Sequence, residues 1–82
     1  MSNLKGFGYN PMLFISPDVI RGYTGKRVKM ELTNGSIIFA FIHLVTPTLP
    51  PNPNATVYYL DLNSSSDVIA LGTEFIMQVT TV

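Results

Sequence analysis

The dipeptide Asn34-Gly35 constrains the fold more than any other feature of this chain. Asn-Gly is a strong signal for a two-residue hairpin turn, because both residues tolerate a positive φ. On its N-terminal side, Val28, Met30 and Leu32 alternate with polar residues, a pattern that is typical of a half-buried strand. The sequence therefore predicts an antiparallel hairpin with its turn at Asn34 and Gly35.

The stretch after the turn, residues 36–46, is apolar on both faces. Strict alternation places Ile37, Phe39, Phe41 and Val45 on one side, with His43 among them, and Ile38, Ala40, Ile42 and Leu44 on the other. A strand buried on both sides in a chain of 82 residues has to bend or contribute to two interfaces. The small side chain of Ala40 makes the middle of the strand the expected place for a bend.

The residues that typically start and end helices and strands predict one short helix and three more strands. Ser16, Pro17 and Asp18 form a helix start, because Ser caps free N–H groups, Pro fits the first position and Asp favours the positive end of the helix dipole. Gly22 and Gly25 limit this helix to about two turns. Further strands are expected at residues 56–62, 68–71 and 74–82, the last with Phe75, Met77 and Val79 on one side.

Two other segments are expected to lie outside the strands. Residues 1–11 are expected to form a flexible arm, and residues 46–54 hold four of the six prolines, which predicts a stiff, exposed loop that tolerates substitution. One short helix followed by five strands predicts a mainly β fold, a small antiparallel barrel of the SH3-like kind, as a single domain over residues 1–82.

Composition indicates self-association. A domain this small buries only about 60% of its unfolded surface, and 12% charged residues leave few side chains to cover the rest. The formal net charge is zero, which excludes a strongly basic nucleic-acid binder at the level of the whole chain and removes the repulsion that keeps copies apart. An oligomer is therefore expected; the alternative is a weakly charged monomer.

Catalytic and metal chemistry finds little support in the sequence. The chain has no Cys and one His, His43, and its five acidic residues are scattered, so neither a metal site nor an acid–base pair is indicated. We expect a protein that is not an enzyme and holds no cofactor. The apolar stretches are shorter than the roughly 20 residues of a membrane span, and no signal peptide is evident, so a cytoplasmic location without membrane contact is expected.

Basic and aromatic residues give the clearest indication of a ligand. Arg21, Lys26, Arg27 and Lys29 bring four of the five basic residues within nine positions, which predicts a modest phosphate-binding patch or, alternatively, a solvated helix end. Tyr58 and Tyr59 are adjacent in a strand, so one should face inward and one outward. The outward ring could stack on a base or lie in a subunit interface.

From Gly25-Lys26-Arg27-Val28 onward the sequence resembles the Sm/LSm (Sm-like) family. The first motif of that family matches the alternation of Val28, Met30 and Leu32, the Asn34-Gly35 turn, Ala40 at a usual Gly position, and Ile42. The second motif resembles Ala70-Leu71-Gly72-Thr73-Glu74-Phe75. The resemblance covers roughly residues 17–82. It implies an N-terminal helix followed by a strongly bent five-stranded barrel.

The departures from the family pattern fall on its RNA-contacting positions. Where the family has an Asp and an Asn that flank a stacking residue, this chain has Thr46-Pro47-Thr48-Leu49-Pro50. The Arg of the second motif corresponds to Leu71, which supplies neither charge nor a planar stacking surface. The usual uridine pocket is therefore expected to be lost, unless the Pro-rich loop folds back and brings Asn52 and Asn54 into its place.

The resemblance further implies self-assembly into a ring of about five to seven subunits. The family pairs its last two strands between adjacent subunits, and the corresponding segments here, residues 68–71 and 75–82, have no charge or Pro to block edge pairing. Expected subunit contacts are Val68, Ile69, Leu71, Phe75, Ile76, Met77, Gln78 and Val79. The expected function is an RNA-binding or scaffolding ring, with RNA contacts at Arg21, Lys26, Arg27, Lys29, Asn52 and Asn54. The alternative is a purely structural or protein-interaction oligomer with no nucleic-acid role.

Overall fold

The computed structural model describes residues 14–63 and 67–82, so the arm predicted at residues 1–11 lies outside the described residues. The described chain forms a short helix, five strands and a 3-10 turn. In chain order these are α1 (Pro17–Arg21), β1 (Arg27–Leu32), β2 (Ile37–Val45), β3 (Thr56–Asp61), β4 (Val68–Gly72), the 3-10 turn (Thr73–Phe75) and β5 (Ile76–Thr81). The mainly β class with one short helix is confirmed.

Helix α1 begins where the sequence predicts and ends earlier. The Oγ of Ser16 accepts the main-chain N–H of Asp18 at 3.3 Å, and Pro17 occupies the first turn. The helix has five residues, and turns follow as far as Gly25, which has a φ of 82°. This positive φ is costly for any residue but glycine, so the backbone leaves helical geometry there and enters β1.

The antiparallel hairpin predicted at Asn34-Gly35 is confirmed, but its loop has three residues and not two, because Leu32 donates its N–H to the Ser36 oxygen at 2.8 Å and leaves residues 33–35 in the loop. Gly35 has a φ of 92°, its N–H donates to the Leu32 oxygen at 3.0 Å, and the side-chain oxygen of Asn34 accepts the N–H of Ser36 at 2.9 Å. The turn sets the register of β1 against β2, in which Glu31 faces Ile37 and the pairing runs antiparallel to the far end of β1.

The predicted alternation of β2 is wrong at its C-terminal end. Ile42 pairs with Tyr59, but Leu44 pairs with Tyr58, so His43 is an extra residue in a β-bulge. Beyond the bulge the two faces are exchanged.

This exchange brings Val45 into the core on the same side as Ile42, and it turns Leu44 outward. The irregularity lies at His43 and not at Ala40, where a bend was expected. The second face of β2 is also not buried as predicted, because Ile37 and Phe39 are exposed.

The five strands form one antiparallel sheet in the order β4-β3-β2-β1-β5. β4 and β5 are therefore the two edge strands, and they do not pair with each other within the chain. A five-stranded antiparallel sheet is confirmed, while its closure into a barrel stays a prediction.

Strand β5 is shorter than predicted and also carries a bulge. It begins at Ile76, because the preceding residues form the 3-10 turn. Gln78 pairs with Glu31 and Ile76 with Leu32, which leaves Met77 as the extra residue. Ile76 and Val79 consequently face the core side together, against the predicted alternation.

The core lies on one face of the sheet and is closed by α1. Ile20 of the helix is fully buried against the sheet. Burial of a side chain of this size contributes about 1.5–3 kcal/mol relative to leaving it exposed. The fully buried apolar residues are Ile20, Val28, Met30, Ala40, Ile42, Val57 and Ile76.

Candidate functional site

The Pro-rich loop and the turn between β4 and β5 line an open cavity of about 240 Å³. Asn52 and Asn54 from the loop line it, as do Gly72 and Glu74 from the turn. The remaining lining residues are Thr46, Pro47, Leu49, Ala55 and Thr56. The loop therefore places Asn52 and Asn54 beside the turn between β4 and β5, while their contribution to a nucleotide pocket stays a prediction.

The loop is held from within by an Asx turn. The side-chain oxygen of Asn52 accepts the N–H of Asn54 at 2.9 Å, and the N–H of Asn52 donates to the Leu49 oxygen at 3.0 Å. These bonds fix the Asn52 side chain and the main chain of Asn54. The cavity therefore has a defined polar wall.

Two threonine hydroxyls hold residues that line the cavity against the main chain at the start of β3. The hydroxyl of Thr46 accepts the N–H of Thr56 at 2.9 Å, at the junction of β2 and β3. The hydroxyl of Thr73, which is fully buried, accepts the N–H of Ala55 at 3.1 Å, and the Thr73 N–H donates to the Ala55 oxygen at 2.9 Å. Sequence reasoning missed both contacts, because a threonine in a turn carries no sign of its distant partner.

The opposite wall of the cavity is acidic. A Cβ atom at position 72 would collide with the carboxylate of Glu74, so the glycine allows this side chain to fold back against the backbone. Among the described residues, no Lys or Arg lines the cavity. Carboxylate, amide and hydroxyl groups suit a neutral ligand with N–H donors, such as a nucleobase edge, and disfavour a phosphate.

The four cations predicted to bind RNA do not converge on this cavity. Arg21 is engaged within the chain, since its guanidinium binds the carboxylate of Asp18 at 2.7 Å and the main-chain oxygen of Thr46 at 2.8 Å. Lys26 and Arg27 are exposed and Lys29 is half-buried, near and along β1.

The exposure predicted for the loop at residues 46–54 is wrong at its start. Thr46 is half-buried, and its main-chain oxygen is bonded to Arg21 of α1.

The expected subunit contacts fall on the two outer edges of the sheet, and at the start of β5 the Ile76 oxygen already accepts the N–H of Ile15 at 2.7 Å. On β4, Val68 and Ile69 are exposed and Leu71 is half-buried. Around β5, Phe75 and Gln78 are exposed, and Met77 and Val79 are half-buried. Ile76 is fully buried, so its side chain serves the core of its own chain.

Hydrogen-bond direction identifies which backbone groups these edges offer. On β5, Val82 donates its N–H to Arg27 on the β1 side, at 3.3 Å. Because bonding direction alternates along a strand, Val79 and Thr81 turn their N–H and C=O groups to the free edge. Directly after β4, Thr73 bonds to Ala55, which precedes β3, so Ala70 within β4 turns its groups outward by the same rule.

Tyr58 and Tyr59 face opposite sides of the sheet, as predicted. Tyr59 is buried in the core, and Tyr58 is half-buried on the outer face. Burial, and secondly the negative charge of Asp61, raise the pKa of the Tyr59 phenol above its usual value of 10.0. The tyrosine that could meet a ligand is therefore Tyr58.

Among residues 14–63 and 67–82, no group of three His, Asp or Glu side chains is placed to hold a metal ion. Within the described chain there is also no helix with the length and apolar character that crossing a membrane requires. His43 is exposed in the β2 bulge.

Comparison with known proteins adds no relative. The chain matches no protein-family model, no curated protein and no solved structure.

Proposed function

We propose that this chain is an Sm-like subunit that assembles into a closed ring by pairing β4 of one copy with β5 of the next. The observation that carries the proposal is the strand order β4-β3-β2-β1-β5, which leaves these two uncharged strands as opposite edges of one sheet. Pairing them head to tail satisfies both edges of every copy in a ring of about five to seven subunits.

Side-chain exposure at the edges supports the same assembly. Val68 and Ile69 on β4 and Phe75 beside β5 are large apolar side chains that remain exposed in the isolated chain. The contact of one β4 with the next β5 would cover them and would add about 0.025 kcal/mol for each Å² of apolar area buried. Neither edge strand contains a Lys or a Pro of the kind that protects the edges of monomeric proteins.

The test of assembly is the mass of the native protein in solution by light scattering or native mass spectrometry. Ala70→Pro and Thr81→Pro each remove an N–H that faces the free edge, and each leaves the bonds within the chain in place. We expect the wild type to have one discrete ring mass and both variants to be monomers or aggregates. Ala70→Ser, which keeps the N–H, is the matched control for β4. An unchanged ring mass in both Pro variants would contradict the proposal.

We infer an RNA-binding or scaffolding role for this ring, with weak and strongly salt-dependent RNA affinity. The support is the placement of Lys26, Arg27 and Lys29 near and along β1, while none of the described residues that line the cavity is a cation. Fluorescence anisotropy with oligo-U at low and high salt tests this role. Tight binding that survives high salt would contradict it and would indicate an intact uridine pocket.

The second candidate function is a structural or protein-interaction ring without nucleic acid. The observations that favour it are Leu71 at the position of the family's Arg and the engagement of Arg21 with Asp18 and Thr46. The absorbance ratio at 260 and 280 nm of protein purified at low salt discriminates the two. A ratio typical of protein alone, together with no oligo-U binding at low salt, would favour the second function.

A further inference from the structure

The outer face of the sheet has a repeated pairing of basic and aromatic residues. Arg27 lies directly opposite Phe41, and Lys29 lies directly opposite Phe39, in the antiparallel pair of β1 and β2. Directly opposed residues share a face of the sheet, with Cβ atoms about 4.5–5.5 Å apart. The intervening residue Val28 is fully buried, so both pairs lie on the side away from the core.

This face is open in the described chain. Phe39 and Arg27 are exposed, and Phe41 and Lys29 are half-buried. Side chains two residues apart on a strand are separated by about 6.6 Å. The two rings therefore form a row on β2, and the two cations form a parallel row on β1 with the same spacing between side chains.

We propose that this platform, defined as Arg27, Lys29, Phe39 and Phe41, binds single-stranded nucleic acid, with bases stacked on the two rings and phosphates beside the two cations. The proposal rests on the nucleic-acid part of the proposed function and gives it a location other than the cavity. Base stacking on aromatic side chains beside a basic groove is how proteins bind single strands with little sequence preference.

Charge decides between nucleic acid and a second copy of the chain as the occupant. The charged side chains that the strands direct to this face are Arg27, Lys29 and Glu31, two cations against one carboxylate. Face-to-face docking of two copies would double this excess of positive charge within one contact. A polyanion neutralises it, so the charges favour a nucleic-acid strand.

The experiment measures the affinity of the full chain for labelled oligo-U and oligo-A by fluorescence anisotropy over a salt series. Phe39→Leu and Phe41→Leu keep an apolar side chain and remove the stacking surface. We expect each to weaken binding at least about five-fold without changing the salt dependence. Arg27→Gln and Lys29→Gln should instead each reduce the slope of log affinity against log salt by about one.

Phe14→Leu is the matched control, because Phe14 is an exposed phenylalanine outside the strands. It should bind like the wild type. The native mass of each variant is measured alongside its affinity.

Three results would overturn the platform. If the wild type binds but Phe39→Leu and Phe41→Leu bind equally well, the platform fails and the RNA-binding role stands. If the wild type binds no oligonucleotide at low salt, the RNA-binding role fails and the platform fails with it. If the two Phe variants change the native mass, the face is a contact between copies.

Discussion

The guanidinium of Arg21 donates from Nη2 to the main-chain oxygen of Thr46 at 2.8 Å, across 25 positions of sequence. Its Nη1 donates to the carboxylate of Asp18 at 2.7 Å. One side chain therefore joins α1 to the segment in which β2 ends and the Pro-rich loop begins. The loop start, and with it one wall of the cavity, depends on a residue of the helix.

Replacing Arg21 with Met should lower the free energy of unfolding by about 1–2 kcal/mol. The Met keeps the apolar stem and removes the bonds to Asp18 and Thr46 and a longer one to the Thr48 hydroxyl at 3.4 Å. Partial exposure of the guanidinium keeps the loss small. Urea denaturation at fixed protein concentration measures the change. Lys26→Met is the control, because Lys26 is exposed and its side chain is about as long as that of Arg21. It should shift the free energy of unfolding by no more than about 0.5 kcal/mol. Equal denaturation midpoints for both variants would contradict the role of Arg21.

The same bond limits which part of the Pro-rich loop can be replaced. A short Gly-containing turn in place of residues 48–53 should leave the melting temperature nearly unchanged, because those residues make few bonds to the sheet. Replacement of residues 46–54 should lower it by several degrees, since the Thr46 hydroxyl that accepts from Thr56 is lost and the shorter chain moves the main-chain oxygen that accepts from Arg21. Thermal denaturation of both variants is the measurement. The expectation fails if both replacements have the same effect.

Thr73→Val should destabilise the chain by about 1–3 kcal/mol. The two side chains have nearly the same shape, but Val cannot accept the N–H of Ala55, which would then be buried without its partner. Thr73→Ser keeps the hydroxyl and should recover most of the loss, apart from that of one buried methyl group. Thr80→Val, at an exposed position of β5, is the control. A Ser variant as unstable as the Val variant would show that the methyl group matters and the hydroxyl does not.

The parts of the fold that could be predicted from the sequence are those set by neighbouring residues. The Asn34-Gly35 turn and the Ser16 cap are local, because each depends on bonds within two or three positions. The bulges at His43 and Met77 could not be predicted from alternation. Where apolar residues occupy both faces of a strand, the sequence pattern does not show which residue is unpaired. The exchange of faces that brings Val45 inward is therefore set by packing.

The candidate site was less predictable because its contacts are distant in sequence. Asn52 and Asn54 were identified only on the condition that the loop folds back, which is a tertiary property. Arg21 was grouped with the other cations because they are close in sequence, but its partner Thr46 is not. The basic and aromatic pairs of the outer face likewise depend on the register of β1 against β2.

The stability of the chain should fall at alkaline pH because of Tyr59. Its burial, and secondly the charge of Asp61, raise the pKa of the phenol in the folded chain, whereas the unfolded chain has the ordinary value of about 10. Above that pH the unfolded chain loses its proton first, so the free energy of unfolding decreases as pH rises toward the folded pKa. Below it both states are protonated, and the stabilisation is fully present.

Tyr59→Phe keeps the buried ring and removes the titrating hydroxyl, so it should flatten the alkaline decline in the free energy of unfolding. The measurement is urea denaturation at a series of pH values from about 8 to about 11. Tyr58→Phe is the matched control, because it removes a phenol from the other face of the same strand and leaves the decline due to Tyr59 in place. If Tyr59→Phe declines as steeply as the wild type, the alkaline loss of stability has another origin.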